Sequence, residues 1–314
     1  MRGSGWFTWT ALLGAAIQLV APPAPAQSAA IPEAAARKPA PYSLPWLLRP
    51  AAAASVVRVD QTFARYEDPA SGRSWTSYLT SLTASRKLGA RWAAVVRQTW
   101  VRNDAQAGGR DPSGSAFSNP LLGVGYVRSL AGGLRASGFF ATALPVGGGG
   151  GDGPDPGAAA AIGAAIPARS AMDNALFAVN YWTVIGGFGL ARVTPSLTAQ
   201  AELSVLQLMR VRGPESQDSS RTNLTAGLHL GRFLTPRLSL GAELRLQRWI
   251  SDAAPARREP AAREQFTLAA GPRLHLKVGP RSWFRPGLSY TRALDQPMTA
   301  GGYDILQIDA PFSF

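Results

Sequence analysis

From about residue 54 to the last residue the chain repeats one unit, a strand-length run of alternating apolar and polar residues closed by a turn or loop. Twelve such runs can be read, at 54–66, 74–86, 90–102, 120–129, 133–145, 174–193, 197–211, 221–234, 238–250, 264–278, 282–294 and 303–314. The connections between them alternate in length. RKLGA, LAGG, VTPS, LTPR and VGPR are short, whereas EDPASGR, NDAQAGGRDPSGSAFSN, PVGGGGGDGPDPGAAAAIGAAIPARSAMD, RGPESQDSS, SDAAPARREPAARE and DQPMTAGG are long. A period of two sends successive side chains to opposite faces of a sheet. Short turns on one rim and long loops on the other mark an antiparallel barrel that crosses an outer membrane. The expectation is an all-β fold, a closed antiparallel transmembrane β-barrel of twelve strands spanning 54–314. No run carries a helical period with caps, and none holds 18 consecutive apolar residues. The sixth run is overlong, so its strand is expected to be shorter.

The two faces of each strand set the solvent. In 238–250, Leu238, Leu240, Ala242, Leu244 and Leu246 alternate with Ser239, Gly241, Glu243, Arg245 and Gln247. The same two-faced pattern puts Leu224, Ala226, Leu228 and Leu230 opposite Thr225, Gly227, His229 and Gly231. Small and medium apolar side chains cannot fill the interior of a barrel this wide, but they suit contact with lipid. Lipid leaves no water for unpaired backbone groups, so the last strand must pair with the first. Val57, Val59 and Phe63 then face out, and Arg58, Asp60 and Thr62 face in. The inward set is Arg58, Asp60, Glu202, Arg210, His229, Glu243, Arg245, Arg273, His275, Lys277, Arg285, Gln307 and Asp309, a polar lumen with charges of both signs. Trp75, Trp92, Trp100, Tyr126, Trp182, Trp249, Trp283, Tyr290 and Tyr303 supply candidates for interfacial aromatic girdles.

The amino end has other work. Arg2, the apolar run 11–20 and the small residues APA at 24–26 read as a signal peptide over 1–26. Residues 27–53 form a Pro- and Ala-rich periplasmic arm, in which PWLLRP at 45–50 is an apolar patch able to dock on the body. At the other end, Phe312 and Phe314 close the barrel. Phe314 resembles the carboxy-terminal aromatic that ends many bacterial outer-membrane proteins and is read by their insertion machinery.

Composition narrows the chemistry. The absence of cysteine excludes disulfides and thiolate catalysis. The formal charge of +13 is spread singly, without the basic-aromatic run of a nucleic-acid binder. Two histidines, His229 and His275, lie on strands that are not neighbours and lack a third ligand, so no metal site is expected. GGGGGDGPDPG lacks the ligand spacing of a calcium loop and the Lys-Ser/Thr of a phosphate loop; it reads as a flexible extracellular loop. No catalytic residue and no cofactor are assigned, and the chain reads as a non-enzyme.

SNPLLGVGYVRSLAGGLRASGFFATALPVGGG, at 118–149, resembles part of the outer-membrane transporters associated with aromatic-compound degradation, the meta-pathway-of-phenol-degradation type. The shared elements are Asn119-Pro120 opening a strand, a Gly-rich hairpin, and a strand that ends in Leu144-Pro145 before glycines. The resemblance implies passive uptake of small, often hydrophobic, organic molecules, and the Ala, Gly, Pro and Arg usage suggests a Gram-negative bacterium. The expected function is thus a porin-like passive channel or transporter in the bacterial cell outer membrane. Its partners are membrane lipid, the insertion machinery and small-molecule solutes, and the oligomeric state stays open. One alternative is a non-conducting structural or assembly barrel, which the same lumen charges would serve if fully cross-linked. The other is an outer-membrane lipid hydrolase.

Overall fold

The structure is a computed structural model that describes residues 41–67, 74–105 and 113–314. The signal peptide expected at 1–26 and the first part of the arm lie outside the described residues. Twelve strands form the wall: β1 (Val56–Glu67), β2 (Ser74–Lys87), β3 (Trp92–Ala105), β4 (Leu121–Ser129), β5 (Leu134–Ala143), β6 (Tyr181–Val193), β7 (Leu197–Arg210), β8 (Ser220–Thr235), β9 (Leu238–Trp249), β10 (Glu264–Leu274), β11 (Gly287–Ala293) and β12 (Asp304–Ser313). Each pairs antiparallel with the next, and β12 returns to β1 from Val56↔Ser313 to Arg65↔Asp304. The result is a closed twelve-stranded antiparallel barrel without a free edge.

Three short pieces complete the wall. Gly114–Phe117 pairs with the upper part of β3, and Leu276–Lys277 and Trp283–Phe284 carry the β10–β11 hairpin down to its turn. Trp283–Phe284 is bonded to Ser313 and Phe312 of β12. The sixth strand begins only at Tyr181, as the overlong run suggested.

The outward face is apolar and uncovered: Leu228 is 54% exposed and Leu230 57%, both mid-strand on β8. Their inward neighbours Thr225 and His229 are buried. Trp92, Trp182 and Tyr290 also face out. Trp249 does not. It is buried on the inward side, because its parity on β9 follows Gln247 into the barrel. Tyr303 likewise turns inward, stacked on Tyr66 at 4.7 Å, and Tyr66 stacks on Trp75 at 5.2 Å.

The glycine-rich loop after β5 is not a featureless loop. It folds into a helix, α1 (Pro156–Ala168), and a single turn, α2 (Asn174–Phe177). Asp155 caps α1 by accepting from Ala158 N at 2.8 Å, and Pro156 occupies the first turn, where its missing N–H costs nothing. The alanine run that follows is the best helix former among the residues. Its flanking glycines hid that signal in the sequence. Small side chains then let α1 lie close to the wall: a Cβ added at Gly114 would sit 2.3 Å from the Gly157 carbonyl carbon. α1 and α2 pack with inward-facing Leu79, Val101, Ile185, Leu208 and Trp249 into one apolar cluster at the long-loop end. Asn119, the first residue of the Asn-Pro pair noted above, ties this loop at both ends. It accepts from Gly147 N at 3.0 Å and donates to Ala178 O at 3.0 Å.

Candidate functional site: the lumen

The inward face divides into an apolar upper part, filled by α1 and α2, and a polar lower part. The polar part is filled by the protein's own arm. Residues 42–51 enter at the short-turn rim, where Ser43 N donates to Thr198 Oγ1 at 3.0 Å and Ser43 Oγ lies 3.2 Å from Ser239 Oγ. The chain then runs inward and returns to Ser55, whose carbonyl accepts from Phe314 N at 3.1 Å.

An irregular segment with prolines at 45 and 50 cannot satisfy its own backbone, and burial makes each orphan group costly. The wall supplies the partners. Glu243 accepts from Trp46 N at 2.8 Å and Leu47 N at 3.0 Å, and Glu202 accepts from Arg49 N at 2.8 Å. Arg273 Nε donates to Leu44 O at 3.0 Å, Arg58 donates to Trp46 O, and Gln200 Nε2 donates to Arg49 O at 2.7 Å. Side-chain seats complete the fit. Trp46 lies over Gly241 and edge-on to His229, with ring centroids 6.1 Å apart, and Leu48 lies against Gly227.

The wall charges also pair with one another. Arg58 Nη2 reaches Asp60 and Asp309 at 2.9 Å each, and Arg273 Nη2 reaches Asp309 at 2.9 Å. Gln307 Nε2 donates to Asp60 Oδ1 at 3.0 Å. Arg245 Nε donates to Glu243 Oε1 at 2.7 Å. These groups come from β1, β9, β10 and β12, so the network runs across the seam where the barrel closes.

A second set of ion pairs holds the upper loop. Both oxygens of Asp173 accept from Arg97, at 2.9 and 2.8 Å, and Oδ2 also accepts from Arg169 Nε at 2.9 Å. Arg169 Nη1 donates to Thr62 Oγ1 at 3.0 Å. Burial pushes the Asp173 carboxyl up, but Arg97 and Arg169 outweigh it and hold the group below the ordinary aspartate range. A depressed folded-state pKa means stability that is present above the unfolded value, about 4, and is lost as pH falls toward the folded one. Asp173→Asn removes the same attraction at neutral pH and leaves two buried guanidiniums opposed, a loss of about 3–5 kcal/mol in loop docking. Trypsin is the measurement: cleavage after Arg169, slow in the parent, is expected to become fast in the variant. Equal cleavage rates would show that this pair does not hold the loop.

Not every inward residue of the sequence reading joins these networks. Arg58, Asp60, His229, Glu243, Arg245, Arg273, Gln307 and Asp309 do lie together, buried around the arm, and Glu202 meets the arm at Arg49. Arg210 lies at the long-loop end, donating to Gly213 O at 3.1 Å. Lys277 is exposed, because the strand is nearly spent there and its inward parity points into the open rim. Arg285 lies beside the rim with its guanidinium 5.2 Å from the Trp283 ring. His275 is buried and bonded to Ser239 Oγ at 2.9 Å, a Ser–His pair that the sequence did not suggest. Among the described residues no carboxylate bonds the ring, as a hydrolytic triad requires. Phe312 and Phe314 face outward, their rings 6.1 Å apart. Sequence reasoning missed Arg49, Arg97, Arg169 and Asp173. The first lies in the arm, the last two lie in a segment read as loop, and Arg97 is on the run 90–102, which carries no assigned inward face.

No family model and no curated protein matches the chain. Solved structures do. The COG4313 outer membrane channel from Pseudomonas putida F1 superposes with a TM-score of 0.52 at 12% identity, over 87% of this chain and 97% of that one. The NanC porin gives 0.47 at 12% identity, over 82% of this chain and 98% of that one. The translocator domain of the autotransporter NalP from Neisseria meningitidis gives 0.46 at 13% identity, over 82% of this chain and 86% of that one. At such identities the likeness is one of fold, and by fold the chain is a closed twelve-stranded β-barrel of the outer-membrane type.

Proposed function

We propose that the chain is an outer-membrane passive channel for small solutes, held closed by its own arm. The observation that carries this reading is how the lumen is filled. The wall contributes carboxylates and guanidiniums that grip main-chain atoms of residues 42–51, so the filling of the polar half is one removable segment. Withdrawing that segment clears a polar half lined by paired charges, which water can solvate, and leaves the upper loop with α1 and α2 as the second barrier a solute must pass. The outward belt of leucines supports a lipid surround, since a surface of this kind would associate in water. Phe314 on the outward face of the closing region suits recognition by the insertion machinery. The apolar upper lumen, with Trp249, Tyr181 and Phe177, suits small hydrophobic or aromatic solutes, the class implied by the resemblance at 118–149.

The chain has no cysteine, which allows a clean lock. Ser43 Oγ and Ser239 Oγ lie 3.2 Å apart, within reach of a disulfide in Ser43→Cys/Ser239→Cys. Single-channel recordings in a planar bilayer are expected to show openings in the reduced variant, none after oxidation, and their return with reductant. Current that ignores the redox state would remove the arm as the gate. A folded barrel silent in both states and in the parent would favour the structural-barrel reading.

A further inference from the structure

The lumen wall between the arm and the upper loop carries polar groups that nothing among the described residues satisfies. Arg245 uses Nε on Glu243, and Nη1 on Ser170 Oγ at 3.3 Å and Thr291 Oγ1 at 3.4 Å, but its Nη2 has no partner among the described residues. The same holds for Gln247 Nε2, Thr267 Oγ1 and Ser289 Oγ. All four residues are at most 2% exposed. Three of them are neighbours: Arg245 and Gln247 follow each other on the inward face of β9 and Thr267 of β10 is directly opposite Arg245, whereas Ser289 of β11 lies further toward the short-turn rim, opposite Gln307. Buried polar atoms are almost always bonded, so a cluster of unsatisfied ones needs an explanation.

We propose that Arg245, Gln247 and Thr267 form a binding station for the carboxylate of a small organic acid. A guanidinium N–H, an amide N–H and a hydroxyl are all able to donate, and a carboxylate is the compact acceptor that takes several donors at once. Charge favours the same ligand. Glu243, the closest acid, is already spent on Arg245 Nε and on two N–H groups of the arm. The ion pairs of the lumen engage six guanidiniums and only five carboxylates, so one more anion balances them. Above the station lies the apolar cluster with Trp249, which suits an apolar or aromatic remainder. The station is also placed to sense its occupant. Ser170, which caps Arg245 from the loop, has φ of 57° and the next residue, Ala171, 51°, a left-handed pair without glycine. A carboxylate that takes over Arg245 releases this strained turn.

This inference rests on the channel reading but is tested apart from it. Refolded full-length protein in detergent micelles is titrated calorimetrically with benzoate and with benzamide, its neutral isostere. Benzoate is expected to bind saturably and at least tenfold more tightly than benzamide. Arg245→Gln is expected to weaken benzoate tenfold or more. Because that variant also leaves Glu243 without its partner, Thr267→Val serves as the second: it deletes a hydroxyl that holds up nothing, keeps heat-modifiable gel mobility, and is still expected to weaken benzoate severalfold. Equal affinity for benzoate and benzamide overturns the proposal, as does a Thr267→Val variant that binds benzoate like the parent. Carboxylate-selective binding by a barrel that never conducts supports the station and removes only the channel reading. Conductance without benzoate selectivity does the reverse.

Discussion

Gly227→Leu/Gly241→Leu is expected to turn a mostly closed barrel into a mostly open one. The two glycines are seats on the inward wall. A Cβ at Gly227 would lie 2.5 Å from Leu48 Cδ1, and one at Gly241 would lie 2.9 Å from Trp46 Cη2. Leucine at both positions takes the volume that Leu48 and Trp46 now occupy, so the arm loses its two largest anchors. Burial of each is worth about 2 kcal/mol, and losing both changes the ratio of docked to released arm by about 10³ at about 1.4 kcal/mol per tenfold. The wall itself gains, since glycine inside a strand weakens it. Open probability in planar bilayers is the readout. Gly186→Leu is the control, because a Cβ there meets nothing within 4 Å. A folded double variant as quiet as the control would mean that release of the arm alone does not open the barrel.

The second large effect is on stability. Asp309 is buried on the closing strand, opposite Asp60 of β1, and accepts charge from Arg58 of β1 and Arg273 of β10. Asp309→Ala leaves two buried guanidiniums short of a counter-charge and uncouples the seam from both of its neighbours. Removing one partner of a buried pair costs about 3–5 kcal/mol. Asp304 lies on the same strand, but its pair with Arg292 of β11 is exposed at the rim, where such a pair is worth about 0–1 kcal/mol. Urea unfolding in detergent, read by the loss of heat-modifiable mobility, is expected to shift strongly for Asp309→Ala and barely for Asp304→Ala. Similar shifts would remove the seam network as a stabilising feature.

Much of this architecture is legible in the residues. β9 shows why: Leu238 to Leu246 alternate with Ser239 to Gln247, and one slip of register would turn every leucine inward. That local rule fixes strand, face and lumen parity without any long-range information. It also puts Arg58, Glu243 and Asp309 inside before any contact is known. Helix α1 was hidden for a local reason as well. Its cap Asp155-Pro156 and its alanines are present, but the glycines before them and the lack of a two-faced pattern read as loop. An apolar stripe is the usual helix signal, and a helix made mostly of alanine inside a barrel mouth has none.

The lumen's contents could not be read in the same way. Nothing in PWLLRP says that Glu243, nearly 200 residues away, will take its backbone N–H groups, or that Gly227 and Gly241 are seats for its side chains. Whether Arg273 and Asp309 are pore charges or a paired seam depends on which strands become neighbours when the sheet closes. Alternation is a property of one strand and its solvent, so the chain writes it residue by residue. Plugging and pairing are properties of distances between remote segments, and those exist only once the barrel has closed around its arm.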